Sequence, residues 1–141
     1  MKETWIISAC LAGIPCRYDG NACPIDLSGE RLKDIQLIPV CPEVLGGLKT
    51  PRIPNEIREG RVYDRDGRDV TEYFRKGAEE TLRIAKEQHV TCALLKQNSP
   101  SCGYGLIYDG TFGGRLIPGK GITAGLLEEN GIRIITEDSE F

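Results

Sequence analysis

The sequence predicts an α/β domain of three layers, built on a mainly parallel sheet of about four to five strands with hairpin insertions. Three observations carry that expectation. Four short apolar or β-branched runs are separated by long connections, amphipathic helical segments fall between them, and Gly and Pro are scattered through many short loops.

The strand candidates are 5–8, 36–40, 91–95 and 132–136, each flanked by polar or turn residues. Their near-continuous apolar character is that of strands buried on both faces of a parallel sheet. Residues 70–88 form the best helix, because Phe74, Ala78, Thr81, Leu82 and Ala85 fall on one stripe. Asp69, with Glu72 three residues on, reads as a capping-box variant at its start. A second helix, 122–129, stops at Asn130-Gly131. The polar link 13–35 has room for one short helix at 30–34. Two glycine-bearing segments, 61–68 around Asp66-Gly67 and 107–116 around Asp109-Gly110, read as β-hairpins.

The 141 residues are one domain's length, and no linker, repeat or low-complexity stretch divides them, so 1–141 is expected to be a single domain. Eighteen Lys and Arg against 21 Asp and Glu leave a net charge of −3 with no basic block, which argues against a nucleic-acid polymer as main partner. No apolar run approaches bilayer length, and no apolar segment of a secretory signal follows Met1-Lys2. The expected location is the cytoplasm, and the partner a small molecule.

Six cysteines are therefore the feature to explain: Cys10, Cys16, Cys23, Cys41, Cys92 and Cys102. A reducing compartment disfavours structural disulfides, and no C-x-x-C pair suggests a zinc ribbon or a thioredoxin-type motif. Cys10 follows the first strand, Cys41 the second, and Cys102 lies shortly beyond the third. In an open α/β sheet ligands bind outside the carboxyl ends of the strands. Neighbouring strands are about 4.8 Å apart, so three such thiolates can converge on one object. The competing reading is three incidental small residues. Cys92, inside a strand, reads as a buried small hydrophobe. Cys16 and Cys23 are loop thiols, either an additional ligand, redox-active groups or neither. The lone histidine, His89, ends the long helix.

Three thiolates without a clear fourth ligand do not complete a structural zinc site. An iron–sulfur cluster normally takes four, so three would leave one iron open to water or substrate. Glu43, two residues past Cys41, and Ser99 and Ser101, just before Cys102, are candidates for proton transfer beside such a centre. Their plainer readings are a solvated carboxylate and turn chemistry. Arg17, Lys49, Arg52 and Lys96 read first as solvated or structural cations, and Tyr18 and Tyr108 as loop tyrosines within reach of a planar ligand.

Taken together, the segments S-A-C-L-A-G (8–13), C-R-Y-D-G (16–20), C-P-E (41–43), G-G-L-K-T-P-R (46–52), L-L-K (94–96), S-P-S-C-G (99–103) and I-Y-D-G-T-F (107–112) resemble the small bacterial thiouracil desulfidase (TudS-like) family. The resemblance covers nearly the whole chain. It implies a Rossmann-like domain carrying a [4Fe-4S] cluster on three cysteines, mapping to Cys10, Cys41 and Cys102. The implied reaction is desulfuration of 2-thiouracil, 4-thiouracil or their nucleosides and nucleotides. It exchanges C=S for C=O without redox change, with water supplying the oxygen and sulfide leaving through the open iron. The implied proton-transfer residues are Glu43 and either Ser99 or Ser101. A non-catalytic iron–sulfur or metal-binding sensor is the alternative that the same cysteines allow.

Overall fold

The computed structural model describes residues 3–139; Met1, Lys2, Glu140 and Phe141, at the ends of the expected domain, lie outside them. Four parallel strands, β1 (Glu3–Ser8), β2 (Ile35–Val40), β5 (Cys92–Leu95) and β8 (Arg133–Thr136), form a sheet in the order β2-β1-β5-β8. Register is direct, with Ile6 opposite Ile38 and Ala93, and Leu94 opposite Ile135. Ile6, Ile7, Ala93, Leu94 and Leu95 on the two central strands are completely buried, as their apolar runs require. The edge strand β2 is only half-buried, against expectation. It carries Pro39, whose missing N–H is tolerated where one side of a strand has no neighbour.

The two faces of the sheet are covered differently. Ile6, Ala93, Leu95 and Ile134 pack against Ala85 of helix α2 (Thr71–Glu87) and Ala124 and Leu127 of α3 (Ile122–Glu129). On the other face Ile7 and Leu94 pack on Ile25 and Leu27, and Trp5 and Cys92 on Leu32. That third layer is the 13–35 link itself, with only a 3-10 turn at Glu30–Leu32 where a short helix was expected.

Between β2 and α2 lie the one-turn helix α1 (Pro42–Leu45) and a hairpin of β3 (Asn55–Arg58) with β4 (Arg61–Asp64). The regular ladder of this hairpin turns at Glu59-Gly60, upstream of the expected position. Asp66-Gly67 instead makes the next tight turn, closed by Asp64 N–H to Arg68 O at 2.9 Å. A second hairpin, β6 (Tyr104–Tyr108) with β7 (Leu116–Lys120), stands where the sequence places it. Ile57, Val62 and Ile107 from the two hairpins enclose Phe74 of α2. The start of α2 departs from a capping box. Asp69 accepts the Thr71 N–H at 2.9 Å but also pairs with Arg61, while Glu72 turns outward to Arg75.

Helices α1 and α2 touch backbone to backbone. A Cβ on Gly77 would sit 1.9 Å from Pro42 O, and one on Gly46 1.9 Å from Tyr73 O. Only glycine fits at either position, and the contact holds the Cys41-Pro42-Glu43 corner against the longest helix. Gly77→Ala should therefore lower the unfolding free energy by about 1–3 kcal/mol, the overpacking range. Gly125→Ala, in open space within α3, should raise it by about 0.5–1 kcal/mol. Urea denaturation of both variants measures this; equal stability of the Gly77 variant and the wild type would contradict the packing argument.

Candidate functional site

A cavity of about 380 Å³ opens at the carboxyl edge of the sheet, within the usual size of a small-molecule site. Three chain segments meet there as β1, β2 and β5 end. After β1 the backbone winds into a 3-10 turn, Ala9–Ala12, and Gly13 closes it in the left-handed region at φ +92°. That tight reversal puts Cys10 on the cavity wall. After β2, Cys41 caps α1, with Pro42 at its first turn and Glu43 behind it. After β5, Ser99, Ser101 and Cys102 descend into the same space, with the Cys102 N–H donating to Ser99 Oγ at 2.7 Å. Cys10, Cys41, Cys102, Glu43, Ser99 and Ser101 all line this one cavity, as the strand-end argument expects.

The thiols sense one another. Burial pushes Cys10 up to about 11, and the neighbouring Cys41 adds to the rise. Burial likewise pushes Cys102 up to about 12, against the Ser8 and Ser101 hydroxyls, which favour its thiolate. Cys41 is held down at about 7, chiefly by a hydrogen bond from the Cys16 thiol and further by the Val44 amide. Cys16, donating to Cys41 and itself buried, is raised. When Cys41 carries its proton, its Sγ lies 3.8 Å from Cys16 O and can donate there instead. Cys16 thus belongs to the cavity wall, which its place in a polar loop did not reveal. Cys23 does not line the cavity, and Cys92 is buried under the opposite end of β1, beside Trp5. His89 is exposed and does not line the cavity.

Glu43 is 9% exposed and both of its oxygens are engaged. Arg52 Nε donates to Oε1 at 3.0 Å, and Ser101 Oγ donates to Oε2 at 2.8 Å. Arg52 is itself anchored, its Nη2 donating to Cys16 O and its Nη1 to Lys49 O, each at 3.1 Å. Of the two plainer readings of Arg52, the structural one holds: its side chain is 8% exposed and joins the carboxylate to the thiol loop. Of the two serines, Ser101 contacts Glu43, whereas Ser99 caps the Cys102 amide and stands 3.2 Å behind Ser101. Lys96 lines the cavity and pairs with Glu137 at 2.9 Å; Lys49 offers only its carbonyl, and Arg17 sits half-exposed beside Tyr18 and Asp19.

Among the described residues no three His, Cys, Asp or Glu side chains converge closely enough to hold a single metal ion. Four thiols, those of Cys10, Cys16, Cys41 and Cys102, line the one cavity, and a soft donor set of that kind matches the ligand preference of an iron–sulfur cluster. The donor set fits such a cluster.

Comparison with known proteins agrees with this geometry. A family model described as 2-thiouracil desulfurase matches residues 6–139. The uncharacterized protein YbbK of Bacillus subtilis (strain 168) is 42% identical over 143 residues, covering 94% of this chain and 95% of that protein. A solved structure, the [4Fe-4S]-dependent thiouracil desulfidase TudS, superposes with a TM-score of 0.89 at 43% identity, over 97% of this chain and 92% of the other.

Removing one partner of a buried ion pair strands the other, so Arg52→Met should destabilise the fold by about 3 kcal/mol. Arg52→Lys should recover only part, because a lysine lacks the planar fork that reaches several acceptors at once. The double variant Arg52→Met/Glu43→Leu should recover most of the loss. Chemical denaturation of the three proteins checks the order, and an unaffected Arg52→Met protein would contradict it.

Proposed function

The chain belongs to the 2-thiouracil desulfurase family, and we propose that the cavity at the ends of β1, β2 and β5 is its active centre. It is a [4Fe-4S]-dependent desulfidase acting on a thiolated pyrimidine, a small molecule that a cavity of about 380 Å³ can enclose. Cys10, Cys41 and Cys102 hold the cluster, and the observation that supports this assignment is that the segments following β1, β2 and β5 each bring one of these thiols to the same cavity. When bound on three thiolates, such a cluster offers one iron without a protein ligand, a Lewis acid and acceptor for soft sulfur.

The surrounding side chains supply the proton chemistry. Conversion of C=S to C=O takes the oxygen and two protons from water and releases hydrogen sulfide, with no net electron transfer. Glu43 is the group that accepts a proton from the attacking water, and Ser101 passes it along the 2.8 Å contact to or from Oε2. Arg52 fixes the other oxygen, so the carboxylate presents one edge to Ser101 throughout. Ser99 holds the Cys102 amide and lies behind Ser101, which gives it a positioning role. Lys96, tied to Glu137, is a fixed positive charge near Cys10 that favours thiolate there.

Anaerobically prepared protein should carry about four irons and release sulfide from 2-thiouracil or 4-thiouracil. Cys10→Ser, Cys41→Ser and Cys102→Ser should each lose the iron, while Cys92→Ser keeps it. Glu43→Gln and Ser101→Ala should retain iron and lower kcat by about 10²–10⁴-fold, the range for a positioned proton-transfer group. Ser99→Ala should have a smaller effect. Full turnover in Glu43→Gln would remove the carboxylate from the mechanism, and iron retained in Cys41→Ser would overturn the ligand assignment.

A further inference from the structure

Away from the thiols, the cavity is lined by a wall that the proton chemistry does not use. It forms where the two hairpins meet. The loop joining β6 to β7 lies against β3, and Glu56 on β3 accepts two of its backbone N–H groups, from Gly110 at 3.0 Å and Phe112 at 3.1 Å. The approach is close: a Cβ on Gly110 would lie 2.7 Å from Arg58 Cβ and 2.8 Å from Ile57 O. Asp109 Oδ1 closes the turn by accepting from the Thr111 N–H at 3.0 Å and its hydroxyl at 2.6 Å.

Phe112, held by this clamp, has φ +59°. The left-handed region is unfavourable for a bulky aromatic, and such strain persists only where the surroundings over-determine it. The hydrogen bonds that the Gly110 and Phe112 N–H groups donate to the Glu56 carboxylate are what fix it here. Their effect is to put the Phe112 ring on the cavity lining, half-buried, with the Arg65 guanidinium 5.7 Å over the ring. Tyr18 and Tyr108 also reach the cavity, but from its rim, 40% and 37% exposed.

Resting on the proposed function above, we propose that Phe112 is a specificity-determining residue whose ring stacks on the planar pyrimidine of the substrate, and that Glu56 is the positioning residue that holds it there. A stacked ring recognises the plane of the base and tolerates the thiocarbonyl at either ring position, leaving the choice of reacting atom to the thiol wall. A hydrophobic side chain of similar volume but no ring removes the stacking alone.

The test compares iron-loaded wild type with Phe112→Leu, Phe112→Tyr and Glu56→Ala. It measures iron content, 2-thiouracil binding by rapid mixing before turnover, and the division of any activity loss between KM and kcat. Phe112→Leu should weaken 2-thiouracil binding about tenfold, the low end for an aromatic–base stack, with the loss falling on KM and iron content unchanged. Phe112→Tyr should bind within about twofold of wild type, since the ring is kept. Glu56→Ala should repeat the Phe112→Leu loss, and combining the two should add little, because both act through one ring. Wild-type binding in Phe112→Leu at full iron content would overturn the inference, as would additive losses in the double variant. The two readings fail separately. Wild type that binds 2-thiouracil in a Phe112-dependent way without releasing sulfide supports stacking and overturns the reaction. Turnover with an indifferent Phe112 does the reverse.

Discussion

Crowding of acidic groups at one edge of a sheet is the constraint around which this molecule is organised. Cys10, Cys41, Cys102 and Glu43 line a single small cavity, and all four are negative when deprotonated. Two unit charges 4 Å apart repel by about 4 kcal/mol at the effective dielectric near a protein surface. Burial acts in the same direction, so Cys10 and Cys102 are pushed well above the ordinary thiol range and keep their protons. Glu43 is compensated by Arg52 and Ser101 instead. Among the thiols only Cys41 is held down, by the Cys16 thiol; on the proposed assignment a bound cationic iron centre would hold Cys10 and Cys102 as thiolates too, with proton release on binding.

The scaffold serves that edge by rigidity. The two central strands are buried on both faces, so the backbone leading to Cys10 and to Ser99 has no freedom to shift without opening the core. Cys41 is the outlier, because β2 is a half-exposed edge strand. Its position is set from the other side, by the backbone contact of α1 with α2 at Gly46 and Gly77 and by the Arg52 fork on Glu43 and Cys16 O. Local packing therefore replaces sheet burial where the sheet is weakest.

Much of this was legible in the residues, and the reason is short range. Cys10 and Cys41 lie within two residues of their strands, so placing the strands places the thiols. Cys102 needed only one short loop. The strands and both long helices announced themselves by apolar runs and an apolar stripe. The features that were missed depend on contacts across the chain. Arg52 reaches Cys16 O over 36 residues, and Glu56 reaches Gly110 and Phe112 over 54 and 56. No local pattern marks an arginine as buried or a phenylalanine as strained. The hairpin turn was expected at Asp66-Gly67 because that dipeptide is the stronger turn signal, yet Glu59 adopts the left-handed conformation at φ +51° once β3 and β4 pair. Ser101 and Ser99 could not be separated by spacing, since only the direction of each hydroxyl distinguishes them.

Of the thiol wall, the proton-transfer pair and the aromatic wall, the first carries the account. Iron-edge anomalous diffraction from anaerobically crystallised protein tests it most directly. The account places the iron signal against the sulfurs of Cys10, Cys41 and Cys102, with the remaining iron facing the cavity and bonded to no cysteine. Iron bonded to Cys16, or located away from any one of the three sulfurs, would contradict it.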